Sequence, residues 1–147
     1  MKHDCSTIIF HCIDFRFAAD IKEYLEKENL LGDVDIVAIA GVAKNFVAPA
    51  KDSDAEFVMR QLDISKRLHN VGRVVLMNHM DCGAYGGHKA FGNVEDERAA
   101  HAADLAKARE MILAKYPDLE VQNVIAHIEA HGDHAHIGFE ALELANA

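Results

Sequence analysis

The spacing of apolar and polar positions changes several times along the chain, and each change marks an element. Thr7 to Ile13 is nearly continuously apolar, the pattern of a central parallel strand covered on both faces. Phe17, Ile21, Tyr24 and Leu25 then recur at helical spacing between Lys and Glu residues, until Asn29 and Gly32 supply a stop. Val34 to Ala40 repeats the buried-strand pattern and ends at Gly41, where a loop is expected through Pro49 to Asp52. Ser53 with Glu56 reads as a capping box, opening a second helix through Val58, Leu62 and Leu68 to about Asn70. Val74 to Met77 is the third strand. It leads into a glycine-rich loop with Gly83, Gly86, Gly87 and Gly92, the candidate lid.

Glu95 to Tyr116 sets Ala102, Leu105, Ala108, Ile112 and Tyr116 on one stripe and predicts the longest helix, ended by Pro117. Val121 to Ile128 makes a fourth strand. His131-Gly132-Asp133 can turn the chain, and His134 to Leu142 can return as an antiparallel edge strand. Strands alternating with helices predict an α/β fold, a mostly parallel sheet of about four strands flanked by helices, with that antiparallel C-terminal edge in addition. Sites in such sheets form at the carboxyl ends of strands, where strand order reverses.

With 147 residues, half of them hydrophobic, the chain can bury one core, so a single domain over 1–147 is expected. A net charge of -9 argues against a nucleic-acid surface and against anionic membranes, and favours a small-molecule substrate. Met1 to Cys5 leads into the first strand without the apolar region of a signal peptide, and no stretch is apolar enough to span a membrane. The expected compartment is the cytoplasm. There, three cysteines read as ligands, nucleophiles or buried apolar residues rather than as disulfide partners.

Two of those cysteines carry the chemistry. Cys12-Ile13-Asp14-Phe15-Arg16 ends one apolar run, and His79-Met80-Asp81-Cys82-Gly83 ends another. If the first and third strands are neighbours and the second lies on the far side of the first, one metal can take Cys12, His79 and Cys82 together. Two thiolates and an imidazole suit zinc and leave its fourth tetrahedral position for water; cobalt or iron are alternatives. Asp14 can accept a hydrogen bond from that water, and the Arg16 guanidinium can hold the carboxylate bidentately and ionised. Without that pair, Asp14 could serve as a fourth ligand, which would close the site.

Cys-x-Asp-x-Arg followed by His-x-x-Cys-Gly resembles the β-class carbonic anhydrase family, from Cys5 to about Leu142 and including Ala40-Gly41 after the second strand. The resemblance implies zinc on Cys12, His79 and Cys82, an Asp14-Arg16 dyad, a parallel sheet with an antiparallel edge, and homodimers or higher homo-oligomers. The implied reaction is reversible hydration of carbon dioxide to bicarbonate and a proton. Three departures stand out. Phe15 replaces the family's usual Ser, Ala38-Ile39 replaces its Arg-Asn, and the chain begins almost at the first strand, where the family has a helical arm that embraces the partner subunit.

Other functions compete. Carbonyl sulfide or carbon disulfide are linear electrophiles that the same scaffold could hydrolyse, with Phe15 shaping the pocket. A zinc-stabilised binding protein without turnover is another reading, with metal-dependent folding as its signature. Cys82 as a nucleophile in a phosphatase-like anion loop fits poorly, because His88 stands where that loop needs Arg. Asp81 reads equally as a second-sphere acceptor or an acidic loop residue. Tyr85 and His88 read as solvated loop residues before pocket wall or proton relay, and Cys5 as incidental. His127, His131, His134 and His136 cluster in sequence and raise a second metal site, against which their placement on two faces and a turn counts.

Overall fold

The computed structural model describes residues 1–131 and 134–143, with the backbone alone at 130, 131, 134 and 135. Five strands form one sheet: β1 (Thr7–His11), β2 (Val34–Ala38), β3 (Arg73–His79), β4 (Glu120–His131) and β5 (His134–Ala141). Their order is β2-β1-β3-β4-β5. The first four run parallel, and β5 pairs antiparallel with β4. The predicted α/β class and the antiparallel edge are both present. Gly132 and Asp133 of the expected turn lie outside the described residues.

The helices are α1 (Ala18–Lys27), α2 (Ala43–Val47), α3 (Asp52–His69) and α4 (Val94–Lys115). Because side chains alternate along a strand, the sheet divides its apolar residues between two cores. Ile8, Phe10, Val74 and Leu76 meet Val42 and Phe46 from α2 and its N-cap, Val58 and Leu62 from α3, and Leu105, Ala108 and Ile112 from α4. Ile9, Val75, Met77 and Val124 meet Ile21, Tyr24 and Leu25 from α1. Three helices thus cover one face and α1 the other.

Three expectations change. The segment after Gly41, read as loop, contains α2, a helix of 5 residues too short to show a period. β2 is an edge strand, not a fully buried one. Ile36, aligned with Ile9, is 54% exposed on the α1 face. Lastly, α3 starts before Ser53. The Asp54 carboxylate accepts from the Lys51 backbone N–H at 3.2 Å, so the cap lies ahead of the Ser53 and Glu56 pair. At its other end Asn70 takes the left-handed conformation that closes a helix, where the sequence put the stop.

Strand order is what positions the site. β2 and β3 flank β1 on opposite sides, so the order reverses at the β1/β3 boundary, where a crevice forms outside the carboxyl ends. Cys12 immediately follows β1, and His79 is the last residue of β3.

Candidate metal centre

The donor atoms of Cys12, His79 and Cys82 all lie within 4.8 Å of one another. His79 is 3% exposed and Cys82 2%. The His79 Nδ1 sits 2.7 Å from the Met80 carbonyl, so that nitrogen carries the proton and donates. Its Nε2 is buried without a hydrogen-bond partner. An imidazole nitrogen left with a bare lone pair in a dry site, facing two sulfurs, is a donor group lacking its acceptor.

Between the two ligand positions the chain turns through Asp81, at φ 57°, a conformation that Asp tolerates better than most residues. Neither sulfur is in a disulfide. The neighbouring Cys82 thiol lowers the Cys12 thiol against the opposing effect of burial. The same contact pushes Cys82 up. A divalent cation held by both sulfurs would take the place of their protons.

Asp14 stands beside this group. Arg16 Nε lies 3.0 Å from its Oδ1 and Nη2 2.7 Å from its Oδ2, while the Arg16 backbone N–H donates to Oδ1 at 2.9 Å. The guanidinium holds the Asp14 carboxyl below the usual range. Asp14 Oδ2 is 3.8 Å from His79 Nε2. The carboxylate is therefore turned to Arg16, within reach of whatever the three donors hold.

Arg16 has a second partner that sequence reasoning left undecided. Its Nη1 donates to Asp81 Oδ2 at 3.0 Å and its Nη2 to the Asp81 carbonyl at 3.0 Å, so one side chain ties the two motifs together. The His88 backbone N–H also donates to Asp81 Oδ1, at 2.9 Å. Behind it, Glu97, 1% exposed, accepts from the Asp81 backbone N–H and pairs with the His88 ring. Asn78, next to His79, accepts from the Ala43 N–H at 3.1 Å and donates to Tyr85 Oη and His101 Nδ1 at 3.1 and 3.0 Å. Burial lowers His101 to about 4, which keeps its ring neutral. Glu97 and His101 fall one turn apart on the stripe that continues to Leu105, and polar residues on an apolar stripe were the available signal for them.

The glycine-rich loop is braced rather than standing clear as a lid. Gly83–Tyr85 and His88–Ala90 form short 3-10 turns. The Tyr85 hydroxyl donates to Asp104 at 2.8 Å, and Lys44 Nζ donates to the Ala84 carbonyl at 2.6 Å. Phe15, expected to shape the pocket, is 88% exposed. Phe17, 2% exposed with its ring 4.4 Å from that of His79, lines instead a cavity of about 10 Å³ with Cys12, Ile21, Met77 and Ala126. Of the C-terminal histidines, His127 pairs with Glu140 at 2.6 Å, and among the described residues neither it nor His136 joins a donor cluster. The side chains of His131 and His134 lie outside the described residues.

Residues 1–135 match the family described as "Putative carbonic anhydrase". An uncharacterized protein of Rickettsia conorii is 28% identical over 130 residues, covering 86% of this chain and 70% of that protein. Another, from Rickettsia bellii, is 26% identical over 130 residues, covering 86% and 79%. Among solved structures, a KaiC-like protein from Pyrococcus horikoshii OT3 gives a TM-score of 0.37 at 14% identity, over 96% of this chain and 68% of that one.

Proposed function

The chain belongs to the carbonic anhydrase family so described, and we propose that it is a β-class, zinc-dependent member that interconverts carbon dioxide with bicarbonate and a proton. The observation that carries this reading is the buried, unpartnered His79 Nε2 facing two cysteine sulfurs, with an arginine-held carboxylate 3.8 Å away. The donor set fits zinc: two thiolates and one imidazole are what a tetrahedral catalytic site takes while leaving its fourth position open. Zinc held there would supply Lewis acidity, lowering the pKa of a water toward neutrality.

The remaining work falls to the chain's own groups. Asp14 accepts a hydrogen bond from the attacking water and orients its lone pair. Arg16 keeps Asp14 ionised and engages both carboxylate oxygens, which would keep them from ligating a metal held by the three donors. Asp81 fixes Arg16 from the other motif, so one guanidinium links the acid/base pair to the turn between His79 and Cys82. Phe17, Ile21, Met77 and Ala126 make the adjoining space small and apolar, which suits a small neutral gas and excludes larger substrates.

As part of the same proposal, the zinc domain works as a homodimer or higher homo-oligomer. Ile13 and Phe15, 64% and 88% exposed, flank Asp14 and offer the apolar surface that a second copy would cover.

Stopped-flow carbon dioxide hydration by the zinc-loaded chain tests the proposal, with carbonyl sulfide hydrolysis run in parallel. Carbon dioxide turnover that disappears together with zinc in Cys82→Ser is expected. Full zinc with carbonyl sulfide turnover alone would move the substrate, and full zinc with neither would leave a binding protein.

A further inference from the structure

A second set of mixed donors lies at the opposite end of the sheet. Cys5 precedes β1, Asp35 is on β2, and His69 is the last residue of α3. Their donor atoms also lie within 4.8 Å of one another. From Cys5 to Cys12 the chain runs along β1, which at about 3.3 Å per residue separates the two sets by about 20 Å. Cys5 therefore takes no part in the site described above.

The local architecture holds these three together for reasons unconnected with any ligand. The Cys5 backbone N–H donates to the His69 carbonyl at 3.0 Å, pinning the start of the chain to the end of α3. Asp35 and Ile8 are aligned in the β1/β2 register. Ser65, 4% exposed and one turn before His69, donates its hydroxyl to Asp35 Oδ2 at 2.6 Å and fixes the carboxylate. The His69 Nδ1 is 2.8 Å from the same oxygen. The carboxylate thus sits between a hydroxyl and an imidazole, with a thiol beside them. The Cys5 thiol reaches the same group: beside a 3.6 Å hydrogen bond to the Thr7 carbonyl, it interacts with the Asp35 carboxylate and helps hold it low. A cleft of about 200 Å³, lined by Asp35, Ser65, His69 and Gln61, gives access from solvent.

We propose that Cys5, Asp35 and His69 form a second, structural site for a zinc-type divalent cation, with the fourth position open to the cleft. One thiolate, one carboxylate and one imidazole are all zinc donors, and together they balance a divalent charge. Bond lengths of about 2.0–2.3 Å around a tetrahedral ion set its ligands about 3.3–3.8 Å apart, so shifts of about 1 Å suffice from the present spacing. Ser65 is then the outer partner that orients the ligating carboxylate. The site cross-links the N-terminal segment, β2 and α3, and its metal stabilises the fold without touching the chemistry at the other end.

The test is zinc stoichiometry on the full chain, by elemental analysis after gel filtration, for the native protein, Cys5→Ser, His69→Gln and Cys12→Ser. Two equivalents in the native chain, falling by one in Cys5→Ser and His69→Gln, are expected. Zinc that remains in Cys12→Ser and is removed by adding Cys5→Ser supports the site even if the first site proves empty. A native complement unchanged by both Cys5→Ser and His69→Gln overturns it and leaves the reading of the first site intact. A cobalt readout guards against loss of fold through one variant. In Cys12→Ser/Cys82→Ser the remaining thiol is Cys5, so a sulfur-to-cobalt charge-transfer band is expected, and its absence in a folded double variant counts against the site.

Discussion

At the scale of single residues, Arg16 is the joint of the candidate centre. It engages both oxygens of Asp14 and reaches across to the side chain and carbonyl of Asp81. Arg16→Lys keeps the charge but loses the fork that makes these contacts, so turnover is expected to fall at least about tenfold with zinc content preserved. Steady-state rates with metal analysis check this. Cys12, Asp14, Arg16, His79 and Cys82 were legible in the sequence because each set is nearly contiguous and its spacing carries chemical meaning. Asp81 was visible in the motif, yet its role depends on Arg16, 65 positions away. Glu97 and His101 could not be assigned because their partners come from another element. Phe15 misled for a related reason: a pattern of residue types does not state which way a side chain turns, and this one turns to solvent.

At the scale of elements, two junctions carry testable weight. Gly41, at φ +76°, leads into α2, and a Cβ there would lie 2.8 Å from the Ala84 Cβ of the loop following Cys82. Gly41→Ala combines left-handed strain with that clash, so a loss of about 1–3 kcal/mol is expected in urea unfolding, together with weaker metal retention. The second junction is Glu140 on β5, held by Arg98 of α4 and by His127 of β4. The Arg98 pair lowers the Glu140 carboxyl from 4.5 to about 2, with His127 adding to it. A lowered carboxyl contributes stability that is fully present above its ordinary value and is lost as pH falls from about 4.5 toward about 2. Urea midpoints measured across that window are expected to fall less steeply in Glu140→Gln than in the native chain. The long elements were readable from periodicity. α2 was not, with 5 residues, and β2 could not be recognised as an edge because edge position depends on which strands assemble around it.

At the scale of the molecule, the switch in strand order joins fold to chemistry. The order β2-β1-β3 was required by the idea of one shared metal before it was observed, and it is present. None of the described helices is long and apolar enough to cross a membrane. If Ile13 and Phe15 are covered by a second copy, Phe15→Ser should shift sedimentation equilibrium toward monomer while zinc content stays constant; an unchanged association state would remove that surface from the interface. The central claim is that a metal held by Cys12, His79 and Cys82 acts with Asp14 on carbon dioxide. The most direct measurement is stopped-flow hydration by native and Asp14→Asn chains of equal, determined zinc content. We predict that Asp14→Asn retains its zinc and loses on the order of 100-fold or more in turnover. Equal turnover by the two zinc-loaded proteins, or loss of zinc in Asp14→Asn, would contradict that role for Asp14.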